Sequence, residues 1–167
     1  MKLKIKYYLK LIFALSLVSF VFSSCKEESI LTPAEISKEV LEAAPETIRI
    51  ENKDLTLSTY LQRDFMPVSP PGGQPLNAVV FIQASDSSEI PVALEADAIY
   101  IINQDEVWKS FFDDNIPPEN SVTQLVRIAR DGPKWEPGIY VDVIVSLTYG
   151  KDKMLIRAAD QLINRTD

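Results

Sequence analysis

Asp113 and Asp114 stand side by side in "FFDDN", and Asp105 and Glu106 precede them by eight residues. Two carboxylates that converge on one bond can hydrolyse a glycoside, one as acid and the other as base or nucleophile. Adjacent residues of a strand point to opposite faces, so Asp113 and Asp114 cannot flank one bond unless their loop bends. The same oxygens, with Asn115, would suit calcium, which takes about six to eight oxygen ligands. No Asp-x-Asp-x-Asp-Gly loop accompanies them. The acids therefore read first as solvated loop and hairpin residues, and second as a docking surface.

Other chemistry is scarce. The chain has no histidine, which removes the imidazole general base, the His-based triad and the imidazole metal ligand. Its five glycines form neither a phosphate-binding loop nor a dinucleotide fingerprint. We assign no catalytic residue, no metal ligand and no cofactor.

Two places could present apolar surface to a ligand. "RDFMPVSPPGGQP" sets Phe65 and Met66 between a charged pair and a turn stiffened by Pro67, Pro70 and Pro71. They could form an apolar tip offered to a partner. They could equally cap one end of a core, with Arg63 and Asp64 paired locally. Trp135 lies in a turn, where an exposed indole could stack on a sugar. Trp108 sits in an alternating stretch and reads as core.

The single thiol, Cys25, lies outside any apolar alternation. Before it come Lys2, Lys4, Lys6 and Lys10, then the apolar run "LIFALSLVSFVF" over Leu11 to Phe22, then Ser23 and Ser24. A basic start, a short apolar stretch and small residues make a secretory signal. A 12-residue run of apolar and small residues falls short of the roughly 20 that cross a bilayer as a helix. "FSSC" resembles a bacterial lipobox, although Phe22 stands where that family usually has an aliphatic residue. The resemblance covers Met1 to about Ser29. It implies that Cys25 is alkylated with diacylglycerol, that the signal is cut before it, and that its amino group is acylated with palmitate-type chains. "KEE" at Lys26 to Glu28 resembles the Lys-plus-acid tag that sends lipoproteins to the cell surface in some Gram-negative bacteria. It is also what a solvated tether would look like. The resemblance implies export and anchoring in the outer membrane, on its periplasmic face or the cell surface.

Cleavage would leave 143 residues, enough for one domain with a sizeable core. The leader takes four of the 17 basic residues and none of the 24 acids, leaving 13 against 24, a net charge of −11. Such acidity argues against nucleic-acid binding and against electrostatic attraction to anionic lipid. Residues 86–119 hold nine acids against Lys109 alone.

The elements that would position these residues are strands. Thr32, Pro33 and Glu35 could cap a short helix carrying Ile36, Val40 and Leu41, ended by Pro45. From Thr47 the apolar period is two. Leu55, Leu57, Thr59 and Leu61 share a face, as do Leu76, Ala78, Val80 and Ile82. Ile139, Val141, Val143, Val145 and Leu147 share another, opposite Tyr140, Asp142, Ser146 and Thr148. "AIYIINQDEVWKSFF" reads as a hairpin turning at Asn103 to Asp105. About seven to eight short strands in Pro- and Gly-bearing loops predict an all-β antiparallel sandwich or barrel. "WEPGIYVDVIVSL", Trp135 to Leu147, resembles a late strand of immunoglobulin-like envelope domains, in which the Tyr sits at a strand corner. This implies an immunoglobulin-like sandwich.

The organisation expected is a cleaved signal over residues 1–24, a lipidated tether over 25–46 with a possible short helix, and a β-sandwich over 47–167. The expected function is a lipid-anchored envelope protein that binds or adapts rather than catalyses. Its partners would be the membrane, through lipid on Cys25, and an envelope protein. The alternatives are a glycan-active enzyme with paired carboxylates, or a module that binds sugar or calcium.

Overall fold

A computed structural model describes residues 36–112 and 121–167. Cys25, Thr32, Pro33, Glu35, Asp113 and Asp114 lie outside the described residues. Within them, one short helix, α1 (Lys38–Glu42), precedes eight strands: β1 (Thr47–Ile50), β2 (Lys53–Asp64), β3 (Leu76–Ala84), β4 (Leu94–Asn103), β5 (Glu106–Phe111), β6 (Gln124–Gly132), β7 (Tyr140–Tyr149) and β8 (Asp152–Thr166). The chain is all-β, as its period-two alternation predicts.

The strands form one curled sheet in the order β5-β4-β7-β8-β2-β3-β6, with β1 added to β2. Every pairing is antiparallel except one. Leu61 to Asp64 of β2 run parallel to Ile163 to Thr166 of β8. The expectation of a wholly antiparallel sheet is corrected here: the sheet is mixed. The cause lies in β8. It pairs with β7 through Leu162, and its register slips between the partners of Val141 and Val143. At the slip Asp160 takes a left-handed φ of 53°, and its N–H donates to Asp142 Oδ1 at 3.0 Å. A bulge of this kind bends a strand and sharpens its twist. The end of β8 thereby leaves β7 and reaches β2.

The curl brings two groups of strands face to face. Leu57, Leu61, Ala78, Val80 and Ile82 of β2 and β3 share one buried cluster with Ile99, Ile101, Val143, Val145 and Ile156 of β4, β7 and β8. The three alternating sets read from the sequence all line this core. Trp108 of β5 packs against it and reaches across to β6, where a side chain at Gly132 would stand 3.2 Å from its ring.

A second cluster covers part of the opposite face. Leu41 and Ala44 pack on Ala98, Tyr100, Ile102 and Ile144. This explains why β4 is apolar on both sides, and why Ile144 interrupts the polar phase of β7. Leu41 is fully buried, whereas Val40, expected on the same stripe, is 53% exposed. Ser37 occupies the helix N-cap without a side-chain hydrogen bond to the helix backbone. The helix is held from outside as well: the Arg157 N–H donates to Pro45 O at 2.9 Å, and its guanidinium donates to Glu42 O at 3.0 Å.

Candidate functional site

Among the described residues the acids do not assemble. Asp105 and Glu106 follow one another at the β4–β5 turn, where Gln104 supplies a φ of 52°. Asp105 turns to Lys38 of α1 at 3.3 Å, while Glu106 accepts from the Trp135 indole N–H at 2.6 Å. Asp97 accepts from the Thr148 hydroxyl at 2.7 Å. Asp86 closes a turn on the Ser88 N–H, and its hydrogen bonds with Ser88 hold its carboxyl below the usual carboxylate range. Among the described residues no three acidic side chains gather as metal ligands.

Two depressions among the described residues bear on this. One, of about 240 Å³, lies between the loop ahead of β4 and the start of β6, with Glu89 as its one carboxylate. The other, of about 670 Å³, is a shallow apolar groove between α1 and the start of β8, lined by Val40, Ala43, Ile48, Met154 and Leu155 with Glu39 at its side. Neither brings two described carboxylates together.

The loop after β2 is built on Arg63, which is only 1% exposed. Its Nε donates to Gln74 O at 2.9 Å, and its Nη1 to Lys134 O and Trp135 O at 3.0 and 2.9 Å. Its Nη2 donates to Gly72 O. The expected local pair with Asp64 does not form. Adjacent strand residues diverge, and Asp64 instead accepts from the Met66 N–H at 2.8 Å. The Phe65 ring lies between two guanidiniums, 4.8 Å from that of Arg63 and 4.1 Å from that of Arg165. Phe65 is thus part of the loop's scaffold, while Met66 is 45% exposed. Trp135 is half-buried, packed on the core, with its N–H bonded to Glu106. It is not a free stacking platform.

The surface that stands out lies on the other side of β2 and β3. Cross-strand registers align Gln62 with Asn77, Tyr60 with Val79, Ser58 with Phe81, and Thr56 with Gln83. They then align Val79 with Ile128, Phe81 with Val126, and Gln83 with Gln124. None of these residues belongs to the buried core. Leu61 lies beside Ile163, so the preceding residues, Tyr60 and Leu162, lie side by side facing outward. Leu162 is in turn opposite Tyr140. A row Tyr140–Leu162–Tyr60–Val79–Ile128 therefore crosses five strands. Tyr60, Leu162 and Tyr140 are 45%, 39% and 64% exposed. Asn164 adds an amide beside Gln62.

None of these residues carries a charge. The nearest acids on β2 stand at its ends, where Asp54 meets Arg49 at 3.8 Å and Asp64 holds the Met66 N–H, while on β7 and β8 the row is bordered by Asp142, paired with Arg157 at 2.8 Å, and by Asp160. An exterior sheet face in so acidic a chain would ordinarily carry acids and bases in its middle. This one carries Tyr, Phe, Val and Ile among Ser, Thr, Asn and Gln. Exposed apolar surface with a polar rim marks a place of contact.

Sequence reasoning passed over this face because it followed one phase of each strand. "LNAVVFIQA" is apolar in both phases, at Val79 and Phe81 as well as at Val80 and Ile82. A strand apolar on both faces has two surfaces to cover, and that signal was available. Comparison with protein-family models, curated proteins and solved structures finds no match.

Proposed function

We propose that the chain is a lipid-anchored protein of the bacterial cell envelope whose immunoglobulin-like domain binds a partner and performs no catalysis. The observation that carries the binding half is the outer face of β2, β3 and β6, which carries no charge from Thr56 to Gln62 or from Asn77 to Gln83. It is partly apolar, half-buried at Val79, Phe81, Val126 and Ile128 and exposed at Tyr60.

The strand order supports the immunoglobulin-like reading. Lettering β2 to β8 as A to G, with β5 as C′, gives A-B-E in one layer and C′-C-F-G in the other. That is close to the division of strands such domains use. Tyr140 opens β7, the position the resemblance implies for a corner tyrosine, although its ring faces solvent.

The anchor reading rests on "FSSC" and the basic, apolar leader before it. Each buried methylene contributes about 0.8 kcal/mol, and one chain alone holds only marginally, so two or three chains on Cys25 would make the attachment lasting. Outer-membrane residence follows from the same resemblance. Cys25→Ser should accumulate as uncut precursor without lipid, and mature protein should vanish from the detergent phase on partitioning. Normal cutting and normal detergent partitioning of that variant would refute the lipid anchor.

A further inference from the structure

The apolar groove between α1 and the start of β8 lies where the described chain begins. Ile36, the first described residue, lines it together with Val40, Ala43, Ile48, Met154 and Leu155. We propose that the domain rests through this groove on the bilayer that holds its anchor, an inference that depends on the lipid-anchor reading above.

Position is the first argument. Ten residues, 26–35, separate Ile36 from Cys25. Ten residues reach at most about 36 Å when fully extended. With lipid on Cys25, the groove's own end of the chain stays within that distance of the membrane surface. A short tether of this kind gives an effective concentration on the order of millimolar. A contact too weak to hold a free domain is then enough.

The exposed residue types are the second. Leu41 turns to the sheet, so the rest of α1 faces outward. Val40 is 53% exposed, Ala43 and Pro45 are exposed beside it, and Met154 and Leu155 are half-buried across the groove. A surface element with one apolar side settles about 5–10 Å into the boundary of headgroups and acyl chains, and its polar side stays wet. The groove is open and shallow, which suits a bilayer surface.

Charge is the third. Glu39 and Lys153 stand at the groove's sides, one of each sign. Beyond them Lys38 meets Glu42 at 3.5 Å and Asp105 at 3.3 Å, and Arg157 meets Asp142 at 2.8 Å. Glu46 and the turn at Lys151 and Asp152 complete the surroundings. The sides balance and the surroundings are slightly acidic, so anionic lipid adds no attraction. The contact is apolar, and a neutral lipid is sufficient for it.

The test uses the full lipid-bearing chain in vesicles of phosphatidylcholine. Cys25 is the only cysteine, and a lipidated thiol takes no thiol-reactive label. A nitrobenzoxadiazole fluorophore is attached through Val40→Cys or Lys153→Cys in the groove. The control is Val68→Cys, 92% exposed in the loop after β2. That loop adjoins the far end of β8, where the Phe65 N–H donates to Thr166 O at 2.8 Å. Lipid carrying a spin label near the headgroup end of its acyl chain should quench the two groove positions at least about threefold more strongly than Val68, because groups about 5–10 Å deep meet it. If Val40→Cys melts below the parent, the exposed Lys153 position decides. Equal quenching at the groove and at Val68 overturns the inference. Blue-shifted emission from the groove without quenching by lipid means that protein covers it, and also overturns the inference. Label taken up by the parent means an unmodified Cys25, and the anchor reading falls together with the inference. A parent that takes no label, combined with equal quenching, removes the groove contact and leaves the anchor standing.

Discussion

Arg63→Met should lower the stability of the domain by about 4 kcal/mol. The guanidinium is 1% exposed and donates to the carbonyls of Gly72, Gln74, Lys134 and Trp135. It thereby ties the proline-rich loop after β2 to the turn before β7. A hydrogen bond to a charged group contributes about 1.5–3 kcal/mol, and a buried polar group left without a partner costs about 1–3 kcal/mol. Methionine fills much of the volume and offers none of the donors. For a domain of this size the loss corresponds to a fall in Tm of about 10–15 °C. Arg63→Lys should fall between the two, because an ammonium keeps the charge but cannot fork to carbonyls on separate loops. Thermal melting of the three proteins decides it. A Tm for Arg63→Met within about 2 °C of the parent would mean that the loops hold themselves.

Leu41→Ala should cost about 2–4 kcal/mol, the range for truncating a buried leucine where the surroundings relax only in part. Leu41 is fully buried against Tyr100, Ile102 and Ile144. The five-residue helix α1 has no side-chain N-cap. So short a helix does not hold in water by itself. Its docking is therefore its stability, and losing Leu41 should release it. Hydrogen exchange should show amides of residues 40–44 losing protection while β3 keeps its own. Equal protection of α1 in parent and variant would contradict this, and would place the hold of α1 in the Arg157 contacts with Glu42 and Pro45.

Much of the framework was legible in the sequence. The phase of β2, β3 and β7 was readable because Leu, Ile and Val recur at every second residue, and the turn at Gln104 and Asp105 was marked by polar residues between two apolar runs. The parallel join of β2 to β8 was not readable. It depends on a bulge at Asp160 and on which strand the end of β8 meets, and neither leaves a periodic trace. The role of Arg63 was hidden for a related reason. Its partners are backbone carbonyls, which every residue carries, so no side-chain pattern announces them. Phe65 was legible as an aromatic at a loop, but its place between Arg63 and Arg165 required the fold.

The outer face of β2, β3 and β6 shows a different limit. Tyr60, Val79, Phe81, Val126 and Ile128 are visible in the sequence, yet they become one surface only when β2, β3 and β6 are placed in order. The acidic residues, conspicuous by number, are dispersed by the same fold among Lys38, Trp135, Thr148 and the turn at Ser88.

Whether this face is where the domain meets its partner can be measured in intact cells. A photoreactive benzophenone side chain would replace Ser58, which is exposed in the middle of the face, and in a second strain Lys151, which is exposed at the β7–β8 turn. On irradiation Ser58 should yield a discrete higher-mass adduct in the membrane fraction, and Lys151 should yield none. Adducts at Lys151 with none at Ser58 would contradict the account and move the binding surface to the other end of the domain.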